Sequence, residues 1–263
     1  MDMGIRGRVA CVAGASKGLG RAVALGLAAE GCDLALCARN GEALRALAAE
    51  LEDHHGVRVM TRAVDLADAG QAEAFASESA AQMGRLDILV ANAGGPPAGS
   101  FADFSEDDWL KAVRLTLLSA QGLARGALPA MRRQGWGRIV NLTSVSVKQP
   151  LPALILSNSI RPAVIGWAKS LADEVGRDGI TVNNICQGWI LTERVEELLN
   201  HLSQTRGQTR EEVLAGVEAA IPLGRIGRPA EMADLAVFLA SERASYITGA
   251  SYVIDGGLYR GLM

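Results

Sequence analysis

The stretch VAGASKGLGRAVA, residues 12–24, decides how the rest of the chain is read. Glycines stand at 14, 18 and 20, between an apolar run and an Ala/Leu-rich run that closes at Gly31. A strand, a tight glycine turn and a helix N-terminus, in that order, make a phosphate cradle. Backbone N–H groups and the helix dipole point at the anion, and glycine lets the backbone come close. A glycine pattern alone is weak evidence. Here it follows the first strand-like run and opens a strand–helix–strand unit, which is the context that gives it meaning. The predicted contacts to a dinucleotide are Gly14, Ser16, Lys17, Gly18, Leu19 and Gly20.

Outward from that turn the alternation continues to the end of the chain. Strand-like runs read RVACVAG (8–14), DLALCAR (33–39), VRVMTRAVDL (57–66), LDILVANAG (86–94), GRIVNLTS (137–144), ITVNNICQG (180–188) and ASYVIDGG (250–257). Helix-like runs lie at 20–31, 41–55, 69–84, about 106–133, about 158–176 and 229–241. Short apolar strands separated by helices predict βαβ crossovers and a parallel sheet covered on both faces. No linker divides the chain, so residues 1–263 read as one α/β domain, a doubly wound, Rossmann-like sheet. The polar segment 192–220 reads as a helical lid, or as an ordinary amphipathic pair of surface helices.

Composition narrows the function. The net charge of −3, with Lys and Arg scattered, gives no basic surface for nucleic acid. No apolar run approaches the ~18 residues of a membrane span, and MDMGIRGRVACVAG has no signal-peptide layout, so a cytoplasmic protein is expected. Cys11, Cys32, Cys37 and Cys186 form no CxxC and read as reduced core residues. His54, His55 and His201 lack ligand spacing, so no metal is expected.

The G-x-x-x-G-x-G spacing resembles the short-chain dehydrogenase/reductase family, and further motifs follow in order: Asn92-Ala93-Gly94, NLTS ending at Ser144, QGWILT (187–192), and the closing run PLGRIGRPAEMADLAVFLAS…YITGASYVIDGG. The likeness spans residues 6 to 258 and is greatest to 3-oxoacyl-acyl-carrier-protein reductases. It implies a nicotinamide cofactor held also by Asp65 and Leu66 at the adenine, by Asn92, Ala93 and Gly94, and by Gln187, Gly188 and Thr192. Asp65 equally suits a helix N-cap. An acidic residue at the end of strand two would bind a free ribose 2′-hydroxyl; this strand ends Ala38-Arg39, and Lys17 lies in the turn, so NADP(H) is the expected cofactor.

The family's chemistry uses a tyrosine acid, a lysine four residues on, a serine that orients the carbonyl, and an asparagine in the long preceding helix. Here Ser144 is the retained serine, while the tyrosine, lysine and asparagine positions hold Ser157, Arg161 and Thr116. The three tyrosines, Tyr246, Tyr252 and Tyr259, all lie near the C-terminus. Serine is a far weaker acid than tyrosine, and arginine stays a cation, so neither replaces the phenol. Ser144, Ser157 and Arg161 remain able to stabilise an oxyanion. Lys148, on the loop after Ser144, is the nearest spare proton carrier or an exposed loop lysine. Gln187 suits an amide contact, and Trp189 either walls the pocket or packs beneath the lid. If the helix is formed at Ser157, i,i+4 spacing puts Ser157 and Arg161 on one face; Pro162, best tolerated in a first turn, favours a later start.

These features point to an NADPH-dependent carbonyl reductase of atypical active site, acting on a 3-oxoacyl or ring-ketone substrate. Two other readings stand beside it: a nucleotide-binding sensor without turnover, and a non-redox enzyme resembling halohydrin dehalogenases, which pair Ser and Tyr with Arg. The resemblance also implies a homotetramer, a dimer of dimers, built on helices 106–133 and 158–176 with Leu110, Val113, Leu117, Ile165 and Leu171 at the contact.

Overall fold

A computed structural model describes residues 2–262. Seven parallel strands form one sheet in the order β3-β2-β1-β4-β5-β6-β7. They are β1 (Val9–Ala13), β2 (Asp33–Ala38), β3 (Val59–Ala63), β4 (Ile88–Ala91), β5 (Gly137–Leu142), β6 (Ile180–Gln187) and β7 (Ser251–Ile254). The order reverses between β1 and β4, and the crevice beyond the carboxyl ends at that reversal is where such sheets bind ligands. Strands β1, β4 and β5 are buried along their whole length, as a sheet covered on both faces requires.

On one face lie α1 (Gly18–Ala29), α2 (Gly41–His55) and α9 (Pro229–Leu239), packed over Val12, Leu34, Leu36 and Val90. On the other lie α3 (Ala69–Met83), α5 (Ser119–Gln134) and α6 (Ile155–Val175), over Cys11, Leu89 and Ile139. The helix ends follow local chemistry. Asn40 and Asp68 cap α2 and α3 through their side-chain oxygens, and Gly56 and Gly84 end them in the left-handed conformation. Asp68, not Asp65, is the capping carboxylate; Asp65 accepts from the Ala67 N–H in the turn before it. Helices α3 and α5 touch at backbone distance: a Cβ on Gly126 would stand 2.3 Å from the Glu73 carbonyl oxygen.

Three predicted spans are corrected. The run at 57–66 forms strand only over Val59–Ala63, because Val64 onward turns toward α3. The long helix at 106–133 is α4 (Glu106–Val113) joined to α5 by a π-helical turn, Arg114–Leu118, whose wide ring is closed by the Ser119 N–H on the Arg114 carbonyl. Helix α6 begins at Ile155, so Pro162 lies well inside it rather than in its first turn. The early start is braced from elsewhere: Asn158 exchanges hydrogen bonds with the Leu151 backbone at 3.1 and 2.9 Å, and Leu154 bridges to Gly99.

Helices α7 (Glu193–Arg206) and α8 (Arg210–Ala220) occupy the segment read as a lid. They close on a small apolar cluster of Leu199, Val213, Ile221 and Ile226, and Trp189 packs against it, which decides between the two roles left open for that side chain. Leu171 belongs to the core beneath α6 at 7% exposure, so it is not available to a subunit contact, whereas Leu110 is exposed. All four cysteines are buried free thiols. Among the described residues no helix is long and apolar enough to cross a membrane.

Candidate functional site

The carboxyl ends of β1, β2, β4, β5 and β6 converge on one cleft, and each delivers part of the predicted site. After β1 the turn 14–18 enters α1. Gly14 has φ +62°, and a Cβ on it would stand 2.4 Å from the Asn92 carbonyl oxygen. A Cβ on Gly20 would stand 2.2 Å from the Gly14 carbonyl oxygen. No other residue fits either position, so the turn lies flat against the end of β4 and presents bare backbone. The first N–H groups of α1 have no side-chain cap, which leaves them for a ligand. Ser16 is half-buried, and Leu19 packs onto the core below. The residues present therefore fit a dinucleotide phosphate.

After β2, Arg39 is exposed and makes no ion pair or hydrogen bond, and no carboxylate stands beside it on the strand end. Lys17 is different. Its ammonium is ion-paired to Glu193 at the start of α7, so this second predicted cation is already engaged. After β3, Asp65 is exposed and Leu66 buried. After β4, the Asn92 amide donates to the carbonyls of Ala13 and Gly14 at 3.4 and 3.5 Å and binds β4 to the glycine turn. Ala93 and Gly94 continue from it along the cleft.

After β5 comes the cluster of candidate catalytic residues. The Ser144 hydroxyl oxygen accepts the Ser146 N–H at 3.1 Å, which leaves its own O–H to donate. Ser157 and Arg161 lie one turn apart on α6, both facing inward. Arg161 Nε donates to Ser157 Oγ at 3.1 Å. Its Nη1 donates to the carbonyls of Thr143 (2.7 Å) and Leu142 (3.3 Å), and its Nη2 to that of Gly94 (2.9 Å). This guanidinium ties the ends of β4 and β5 to α6. It has no carboxylate partner. Burial first, and then the nearby charge of Arg194, push Arg161 down to about 10. It remains a cation at neutral pH. Four hydrogen bonds of Arg161, a side chain expected to stabilise an oxyanion, are made to the protein itself.

Ser146, which the sequence reading passed over, pairs with Ser157 Oγ at 3.3 Å. Only the repeated serines of TSVSV signalled it. Thr116 sits in the π-helical turn at the back of the cluster, beside a cavity of about 20 Å³. Thr116 Oγ1 and Asn141 Oδ1 are buried there without a protein partner. The space is polar and suits one water. Lys148 is half-buried, and its ammonium makes no ion pair or hydrogen bond. After β6, Gln187 donates to the Thr143 carbonyl at 2.7 Å, and its Oε1 is buried without a partner. A Cβ on Gly188 would stand 2.6 Å from Asp255 Cβ, and Thr192 caps α7 while touching the glycine turn.

Residues 14–259 match the family model described as enoyl-(acyl carrier protein) reductase. A putative ketoacyl reductase of Streptomyces coelicolor is 32% identical over 252 residues, 95% of this chain and 96% of that one. The 3-oxoacyl-[acyl-carrier-protein] reductase FabG of Aquifex aeolicus is 31% identical over 98% of this chain and 100% of its own. L-sorbose reductase from Gluconobacter frateurii, solved with NADPH and L-sorbose, superposes with a TM-score of 0.94 at 37% identity over the whole of both chains. The chain belongs to the short-chain dehydrogenase/reductase family. It is an oxidoreductase of that family, built on a single Rossmann-like domain.

Proposed function

We propose that this oxidoreductase is an NADPH-dependent reductase of a carbonyl compound that works without the family's tyrosine acid. The observation that carries the cofactor assignment is Arg39: an exposed, unpaired cation at the end of β2, where a ribose 2′-phosphate would lie, with no carboxylate in reach to favour a free hydroxyl. Relatives described as ketoacyl reductases, and a neighbour solved with NADPH, support it.

When bound, the reduced nicotinamide supplies a hydride to the carbonyl carbon. The chain's own residues manage the rest. Ser144, with its lone pair taken by the Ser146 N–H, donates its O–H to the carbonyl oxygen. Ser157, at the tyrosine position, is polarised by the Arg161 Nε–H and shares its proton with Ser146. Arg161 adds fixed positive charge behind both hydroxyls and delivers no proton. The proton comes from water or from the unpaired Lys148 ammonium. Loss of a general acid removes roughly 10²–10⁴ in rate, so slow or narrow-substrate reduction is expected. Helices α7 and α8 serve as the lid. The exposed Leu110 and the half-buried Val113, Leu117 and Ile165 support a homotetramer; light scattering at micromolar concentration reads its mass, and a monomer there refutes the assembly.

Calorimetric titration with NADPH and NADH tests the cofactor reading. NADPH is expected to bind more tightly. Arg39→Ala should cost a charge-assisted hydrogen bond, about 1.5–3 kcal/mol, on NADPH alone. Equal affinities in the parent protein would refute the assignment. Tight NADPH binding with no reduction of any ketone or acyl thioester would leave a sensor in place of an enzyme.

A further inference from the structure

We infer that the substrate is an anion, a carbonyl compound bearing a carboxylate that is held between Arg194 of the first lid helix and Lys148 of the loop after β5. The inference rests on the reductase reading above and names its substrate class.

The argument begins with uncompensated charge. Arg161 is buried, and each of its hydrogen-bond partners is a neutral oxygen: three carbonyls and a hydroxyl. A buried cation normally has a counter-charge, and one without it is held at a cost. Arg194 adds to the surplus. Its Nη2 donates to the Pro96 carbonyl at 3.0 Å, while Arg161 Nη2 donates to the Gly94 carbonyl at 2.9 Å. Two guanidinium groups thus grip one short loop at carbonyls two residues apart, a span of at most about 7 Å of chain. The influence of Arg194 on the titration of Arg161 agrees with that proximity.

Lys148 is the third cation. It stands four residues after Ser144, on the loop after β5, and its ammonium has no ion pair. Burial raises the Cys186 thiol at the end of β6, and the charges of Lys148 and Arg161 act against that rise. The acids nearby do not neutralise this group. Glu193 is engaged by Lys17. Glu197 reaches Arg194 at 3.4 Å, an exposed i,i+3 pair. Such a pair is weak and yields to a better-placed anion. The result is a cleft whose reacting end is lined by Ser144 and whose flanks carry fixed positive charge. Arg194, with a planar donor fork, suits a carboxylate; Lys148 supplies a point charge beside it. With a neutral ketone Arg161 and Lys148 keep no counter-charge from the chain, and Arg194 keeps only its exposed pair with Glu197.

Reduction rates with NADPH test this on pairs of 2-, 3- and 4-oxo acids of four to eight carbons and their methyl esters. For at least one pair the acid is expected to show kcat/KM tenfold or more above its ester. Arg194→Gln should remove that preference by raising KM for the acid about tenfold, with the ester and the NADPH affinity unchanged; Arg194→Lys should restore part of it. Lys148→Gln should raise KM for the acid but not for the ester, whereas any fall in kcat should be common to both, because its ammonium is also a proton source. Esters reduced as well as acids throughout the panel would overturn the inference and leave the reductase reading standing. So would an Arg194→Gln variant that loses NADPH affinity but keeps its acid-to-ester ratio, since Arg194 would then serve the cofactor. If the NADPH complex reduces neither series, calorimetry of that complex with the same pairs reads the discrimination directly, and no preference for acids overturns the inference. Failure to bind NADPH at all would remove the reductase reading, and this inference with it.

Discussion

Asp87→Ala is expected to destabilise the protein by about 4 kcal/mol, read as a fall in the urea midpoint at unchanged slope. Asp87 starts the β4 side of the sheet with its side chain fully buried, at the end of the molecule opposite the cleft. Its carboxylate accepts the Val9 N–H at 2.8 Å, a forked pair from Arg85 at 2.7 Å each, and Arg8 at 3.1 Å. Gln134 adds a fourth donor at 3.3 Å. Removing the carboxylate orphans a buried N–H and leaves Arg8 without one of its two counter-charges. Arg8 and Arg138 stack on the Trp136 ring at 3.9 and 4.1 Å, so two cations would then share that ring with only Glu242 to balance them. Asp87→Asn keeps the shape and one acceptor oxygen and should lose less than half as much. Equal losses in the two variants would show that charge rather than shape is what matters there.

Arg161→Ala is expected to lower stability by about 3 kcal/mol and to reduce NADPH oxidation to background. The carbonyls of Gly94 and Leu142 lose their side-chain donor, at roughly 1–3 kcal/mol each where water does not replace it, and a void opens behind Ser157. Relief of the desolvated charge offsets part of this, which is why the figure is not larger. Thr143 suffers less, because Gln187 also donates to its carbonyl. Arg161→Lys keeps the charge, but three N–H groups on one nitrogen cannot span the ends of β4 and β5 and Ser157 together. Its activity should fall well below the parent's unless Ser157→Tyr is added. A thermal unfolding midpoint unmoved in Arg161→Ala would show that the bridging bonds carry no stability.

The strands were legible in the sequence because each is a short apolar run that stops where the chain must turn toward a helix. The glycine turn was legible for a stronger reason: two of its positions admit no Cβ. Ser157 and Arg161 were legible as a facing pair, since i,i+4 spacing is a local property of a helix. What Arg161 touches was not. Its partners, Gly94, Leu142 and Thr143, lie 67, 19 and 18 residues away, and only the folded sheet brings them to it. The pairing of Lys17 with Glu193 was hidden for the same reason, because the two stand 176 residues apart. Pro162 misled through a rule that is itself local: proline prefers a first turn, yet the start of α6 is set by contacts with Leu151 and Gly99 that outweigh the preference.

The π-helical turn at Arg114–Leu118 makes chain length between α4 and α5 a matter of phase. An α-helix advances about 100° per residue. One surplus residue in the turn therefore rotates everything before it by about that angle relative to an unbroken helix. Deleting a single residue from 114–118 would let the helix run straight, and would swing Ala112, now buried, by roughly a quarter-turn or more away from the core. Exchanging a side chain in the same turn disturbs only its own contacts. The wall behind Ser144 and Ser157 thus tolerates changes of composition far better than a change of count.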